Sequence, residues 1–165
     1  PVISSAASDV YKRQVIDIEI DDGNTKKRFD IFSHETFDQS TIEKTSKPSF
    51  DSTNEKFIDL PLIQVAYGRS GDKGNKANIG IISRHEKFYP AICDFLNGDV
   101  VAKCFKKFLE GSVETYYLPG SCSINFVLND VLGGGGPASL RNDPQGKAYA
   151  QILLDQKVPI PEKLL

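Results

Sequence analysis

The chain has 165 residues, 39% hydrophobic and 25% charged, the proportions of an ordinary soluble globular domain. Its formal net charge of −2 provides no basic excess for a nucleic-acid surface, and no apolar run approaches the ~20 residues of a membrane span. Three cysteines (Cys93, Cys104, Cys122), an odd number with no CxxC pair, argue against a disulfide framework and against a zinc site, and fit reduced thiols in a cytoplasmic compartment. There is no methionine, so the sequence reads as a piece of a longer protein whose parent could carry an organelle-targeting segment. Residues 1–14 resemble the translation of a sequencing-library adaptor and are set aside as an artefact or a disordered tail. Residues 15–32 alternate isoleucines with acids around the turn cluster Asp21-Asp22-Gly23-Asn24, which predicts a β-hairpin that could end an upstream domain. His34 has no ligand-spaced partner and reads as a surface residue. Residues 33–57 are rich in Ser, Thr, Asp, Glu and Lys with no sustained apolar period; they read as a flexible linker with at most a weak helical turn at 39–45.

A compact domain is expected over 58–161. Its most informative stretch is GRSGDKGNKANIG at 68–80, flanked by the apolar runs 62–67 and 79–82, which read as strands. The segment between them reads as a polar, Gly-rich loop. It gathers Arg69, Ser70, Asp72, Lys73, Asn75 and Asn78, with Gly71 and Gly74 allowing a tight path. Converging backbone N–H groups with nearby cations are suited to an anion. A long turn whose charges face water is the plainer reading.

Beyond this loop, Pro90 suits a first helical turn, and Phe88, Ile92, Phe95 and Leu96 share a face. Asn97-Gly98 breaks the segment. Asp99 can cap a second helix carrying Val101, Cys104, Phe105 and Phe108 on one side and Lys103, Lys106 and Lys107 on the other. Residues 113–118 read as a strand. Residues 121–132 fit both alternation (Ile124, Phe126, Leu128) and helical spacing (Ile124, Val127, Leu128, Val131), and their length favours a helix. Four glycines, 133–136, open a second Gly-rich loop that runs to 147 and holds Ser139, Arg141 and Lys147. A helix over 145–154 and a short edge strand or extended tail at 157–161 complete the chain.

The motif AYGRSGDKGNKANIGIIS, followed in order by Leu118-Pro119, Asn125-Phe126-Val127-Leu128 and LGGGGPASLRNDPQGK, resembles the C-terminal domain of the acyclic terpene utilisation (AtuA-like) family. The resemblance spans about residues 60–161. It implies a ferredoxin-like α+β two-layer sandwich, an antiparallel sheet covered by helices on one face, in agreement with the strand and helix pattern read above. It also implies a larger N-terminal domain as partner and a link to branched or terpenoid acyl-CoA catabolism, with no cofactor and no defined reaction.

Two readings remain open. In the first, loops 68–80 and 133–147 meet, and Arg69, Lys73, Arg141 and Lys147 neutralise a carboxylate or the phosphates of an acyl-CoA. Ser70, Gly71, Gly74, Asn75, Asn78, Gly134, Gly135 and Ser139 would then orient the ligand, with Asp72 as candidate base and Lys73 beside it. In the second, the domain is a non-catalytic docking or dimerisation module, and its glycines serve close packing. Cations converging on one concavity would favour binding; cations paired with acids around an apolar patch would favour docking.

Overall fold

The computed structural model describes residues 17–30, 40 and 45–165. The adaptor-like residues 1–14, the outer ends of the predicted hairpin, His34, and residues 33–39 and 41–44 of the predicted linker, with most of its helical turn, lie outside the described residues. The chain divides into two units, Pro1–Glu43 and Lys44–Leu165.

In the first unit, β1 (Asp17–Asp21) and β2 (Lys26–Asp30) form an antiparallel hairpin with Ile18 opposite Phe29 and Ile20 opposite Lys27. The turn is held by its own acids. Asp21 Oδ1 accepts from the Gly23 N–H at 2.9 Å, and Asp22 Oδ1 accepts from the N–H groups of Asn24 at 2.9 Å and Thr25 at 2.7 Å. Those donors hold the Asp22 carboxyl below its usual value, the bond from Thr25 contributing most.

The second unit is built on a four-stranded antiparallel sheet of two hairpins, in the order β4 (Ala66–Lys73), β5 (Lys76–Ser83), β7 (Ser123–Leu128), β6 (Val113–Leu118). The first hairpin is β4 with β5; the second is β6 with β7. Two short helices, α1 (Tyr89–Phe95) and α2 (Gly98–Cys104), link the hairpins, and α3 (Tyr149–Leu154) follows the second. With β5 antiparallel to β7 and β7 antiparallel to β6, the helical link joins two parallel strands, β5 and β6. A β-α-β-β-α-β unit whose last strand is joined by a turn to its first, and which is opened elsewhere, has this connectivity. The result is a ferredoxin-like α+β domain. A separate ribbon pairs β3 (Phe57–Pro61) with β8 (Lys157–Pro161), antiparallel, and Phe57 meets Phe95 of α1 edge-on at 5.4 Å.

Alternation along the central strands defines the two faces. Ala77, Ile79 and Ile81 of β5 and Ile124, Phe126 and Leu128 of β7 are buried beneath the helices with Ile92, Leu96, Phe105 and Leu153. Among the described residues, no helix covers the opposite face.

Four expectations change here. Residues 68–80 are not a loop: the hairpin continues through them and only Gly74 and Asn75 turn, between the facing pair Lys73 and Lys76. Residues 121–132 are not a helix. Backbone 123–128 pairs on both sides, with β5 and with β6, and this central position makes alternation decisive over helical spacing. The chain bends at Asp130 (φ 51°), so Val131 and Leu132 still reach the core from the following loop. The last helix begins at Tyr149, because Asp143 captures the N–H groups of Lys147 at 2.9 Å and Ala148 at 2.8 Å in a turn ahead of it. The cap of α2 is Asn97, whose Oδ1 accepts from Asp99 at 3.0 Å and Val100 at 3.1 Å, rather than Asp99 itself.

Phe126 is fully buried at the centre of the seam, so Phe126→Ala should lower stability by about 3–5 kcal/mol in denaturant unfolding. Cys93 is also fully buried, and burial pushes its thiol up to about 11. The folded chain therefore keeps a proton that the unfolded chain loses at lower pH, and stability should fall as pH rises from the ordinary thiol value toward about 11. Urea midpoints measured from about pH 8 to about pH 10.5 should fall less steeply in Cys93→Ala.

Candidate functional site

The two Gly-rich segments do meet, but backbone to backbone. A Cβ placed on Gly135 (φ 72°) would lie 2.1 Å from the Gly74 carbonyl oxygen at the hairpin tip, so only glycine can sit there. Asn75 then fastens the contact. Its side-chain oxygen accepts from the Gly134 N–H at 2.7 Å and its amide donates to Asp130 Oδ1 at 3.0 Å. Its carbonyl accepts from the N–H groups of Val131 at 3.1 Å and Leu132 at 3.3 Å. Donors that could have met an anion are thus bonded to Asn75.

Arg141 is absorbed in the same loop. Its guanidinium donates to the carbonyls of Val131 and, at 3.0 Å, Phe108; it also lies 3.5 Å from Glu110 and over the Phe108 ring at 5.5 Å. Ser139 Oγ accepts from the Arg141 N–H at 3.3 Å. Ser70 ties β4 to the start of α3, accepting from the Ala150 N–H at 2.9 Å and donating to the Lys147 carbonyl at 3.1 Å. The Lys147 ammonium lies beside Gly71, 3.1 Å from where a Cβ would be. Lys73 turns back onto the Asp72 carbonyl at 3.0 Å, and Asp72 is half-buried opposite Ala77.

Arg69 and Asn78 lie elsewhere, on the uncovered face of the sheet. Strand register sets this face out in rows. One row runs Tyr67, Ile82, Ser123, Leu118; the next Arg69, Gly80, Asn125, Tyr116; the third Gly71, Asn78, Val127, Glu114. Asn78 donates to Asn125 Oδ1 at 3.3 Å across the central pair. Tyr67, Ile82, Leu118 and Tyr116 are 56%, 49%, 46% and 42% exposed, so four large side chains with apolar bodies lie on one face. The small residues Gly80 and Ser123 between them leave a shallow hollow of about 230 Å³, bordered by Tyr67, Arg69, Ile82, Leu118 and Asn125. Arg84 stacks over Tyr67 at 3.9 Å and donates to the Ile63 carbonyl at 2.9 Å, which fixes that edge.

Of the four cations expected to converge, only Arg69 borders this hollow, and among the described residues its guanidinium makes no hydrogen bond or ion pair. Sequence reasoning did not single out Tyr67, Ile82, Tyr116, Leu118 and Asn125 as site residues. Each alternates with core positions in its strand, but only the pairing of β4, β5, β7 and β6 brings them side by side. Among the described residues no helix is long and apolar enough to cross a membrane, and no cluster of His, Cys, Asp and Glu could hold a metal ion.

Gly135→Ala places a methyl group into the Gly74 carbonyl, in a conformation that itself costs about 1–3 kcal/mol, and should destabilise by more than the latter figure. Gly136→Ala, at φ 47° but facing open space, should cost only about 1–2 kcal/mol. Denaturant unfolding of both variants would separate the clash from the backbone strain.

A family model described as the AtuA ferredoxin-like domain matches residues 60–159. Comparisons with curated proteins and with solved structures returned no match. The match covers more than half of the chain and coincides with the sheet and helices of the second unit, so this chain belongs to the AtuA ferredoxin-like domain family.

Proposed function

We propose that this domain is a non-catalytic docking module that presents the uncovered face of its sheet to a protein partner. One observation carries this reading. The Gly-rich segments and Arg141 are bonded to each other and to neighbouring carbonyls, whereas large side chains not used by the core gather on the open face. A reaction centre needs a nucleophile or base held by a partner and aimed into a cavity; Asp72 and Lys73 lie at the hairpin end, outside the residues that border the hollow. The setting proposed for the module is a cytoplasmic AtuA-like protein of acyclic terpene or branched acyl-CoA catabolism.

Magnitudes say what the partner must offer. Tyr67, Ile82, Leu118 and Tyr116 are about half-exposed, so covering each gains roughly half of the about 1.5–3 kcal/mol of full burial. Four such side chains give about 3–6 kcal/mol, most of which association itself consumes. Apolar contact alone is therefore too weak, and the partner must also answer the charge of Arg69.

The second reading, capture of an anionic small molecule such as a carboxylate or acyl-CoA, is favoured by Arg69, which stands beside the hollow without a bond to any described residue. A thermal-shift titration of the full chain with phosphate, CoA and a branched acyl-CoA separates the two. Docking predicts no shift from any of them. A ligand at a hundred times its dissociation constant would stabilise by ~2.7 kcal/mol; such a shift, abolished in Arg69→Ala, would overturn docking in favour of anion binding.

A further inference from the structure

We infer that the partner surface is a second copy of this chain, packed face to face about a two-fold axis that runs parallel to the strands. The inference rests on the docking reading and names its occupant. Such an axis lays the β4 edge of one sheet over the β6 edge of the other while keeping each row at the same height. Tyr67 then faces Leu118 of the second copy, Ile82 faces Ser123, Gly80 faces Asn125, and Arg69 faces Tyr116 at the border of Glu114. The pairing alternates large against small at the centre and places opposite charge near each arginine, twice, by symmetry.

Charge complementarity favours a second copy over an unrelated partner. Arg69 and Glu114 lie on opposite edges of the same face and one row apart. The partners that hold the Glu114 carboxylate in place include the Tyr116 hydroxyl at 2.6 Å and the Asn129 amide at 2.8 Å, and a carboxylate offers about four acceptor sites. The guanidinium can supply a donor without giving up any bond to a described residue. Stacked sheets normally rotate by about 30° and stay about 10 Å apart, which is within reach of a long arginine side chain. Lys73 and Lys76 lie past the last row, at the hairpin end, so their charges stay in water.

The size of the face sets the strength expected. Four strands about 4.8 Å apart, with about six residues each at about 3.3 Å, give roughly 400 Å² of flat area per copy. That is at the small end for specific association, so the dimer should be reversible, with dissociation in the micromolar range.

Sedimentation equilibrium of the full chain, from about 1 µM to about 500 µM, is the test. A concentration-dependent monomer–dimer equilibrium is expected. Ile82→Glu should weaken it at least about tenfold while the circular dichroism spectrum stays native. Arg69→Glu and Glu114→Arg should each weaken it, and the double variant should recover most of the loss, which a merely structural role for either residue would not produce. A monomer throughout the range, a dimer indifferent to Ile82→Glu, or a double variant no better than the singles would overturn the inference. A monomer whose ligand titration is silent removes the second copy and leaves docking standing; a ligand shift that depends on Arg69 removes docking itself.

Discussion

The domain depends on one seam, the pairing of β5 with β7. Each of these strands belongs to its own hairpin, and neither hairpin would be stable alone in water. The seam joins them by placing Ile79 opposite Phe126 and Ile81 opposite Ile124, all fully or almost fully buried. Helices α1, α2 and α3 then have a continuous apolar floor to cover. Everything on the other face follows from the same register, because side chains alternate strictly and the residues between the buried ones must point away. The open face is thus a consequence of the core rather than a separate feature.

The contact between the hairpin tip and the glycine loop closes the opposite end of the structure. A carboxamide suits this joint. Asn75 accepts through its side-chain oxygen, donates through its side-chain amide and accepts again through its backbone carbonyl. The glycine at 135 lets the two backbones approach within a distance that any side chain would forbid. A cluster that has the composition of an anion site is here a packing joint. Converging N–H groups can serve either role, so composition alone does not separate them.

This changes where function is sought. A module whose Gly-rich segments are internally satisfied has little left to offer a small ligand there, but it exposes a face that water covers poorly. Aromatic and aliphatic side chains around a shallow hollow, with one guanidinium not bonded to any described residue, are the features on which the proposal of a docking surface rests. An interface as small as the one proposed would give reversible association.

Much of this was legible in the residues. The apolar run at 79–82, the turn residues Asp21 to Asn24, Pro90 in a first helical turn and the strand at 113–118 follow from local preferences that need no distant partner, whereas the run at 62–67, expected to be a strand throughout, opens with a 3-10 turn at Leu62–Gln64 and becomes strand only at Ala66. The ordered motifs from 66 to 147 identified the family and, with it, the two-layer α+β class. What local chemistry could not decide was any choice that depended on pairing. Residues 123–128 carry apolar groups at both helical and strand spacing, and only a strand on each side, far away in sequence, makes the extended form win. Residues 68–73 and 76–80 look like loop because they are polar and rich in glycine; they are strand because β4 lies at the edge and β5 turns its polar positions to the open face. Likewise the sequence singled out Arg69, Asn75 and Arg141 as candidates, and the four glycines as well, since a run of glycines is costly in backbone entropy. Tertiary structure alone decided that Asn75, Gly135 and Arg141 hold the fold while Arg69 faces outward, because a hydrogen-bonding group's role is set by whether a partner lies within about 3 Å, and partners such as Gly134 for Asn75 and Phe108 for Arg141 lie 59 and 33 residues away in the chain.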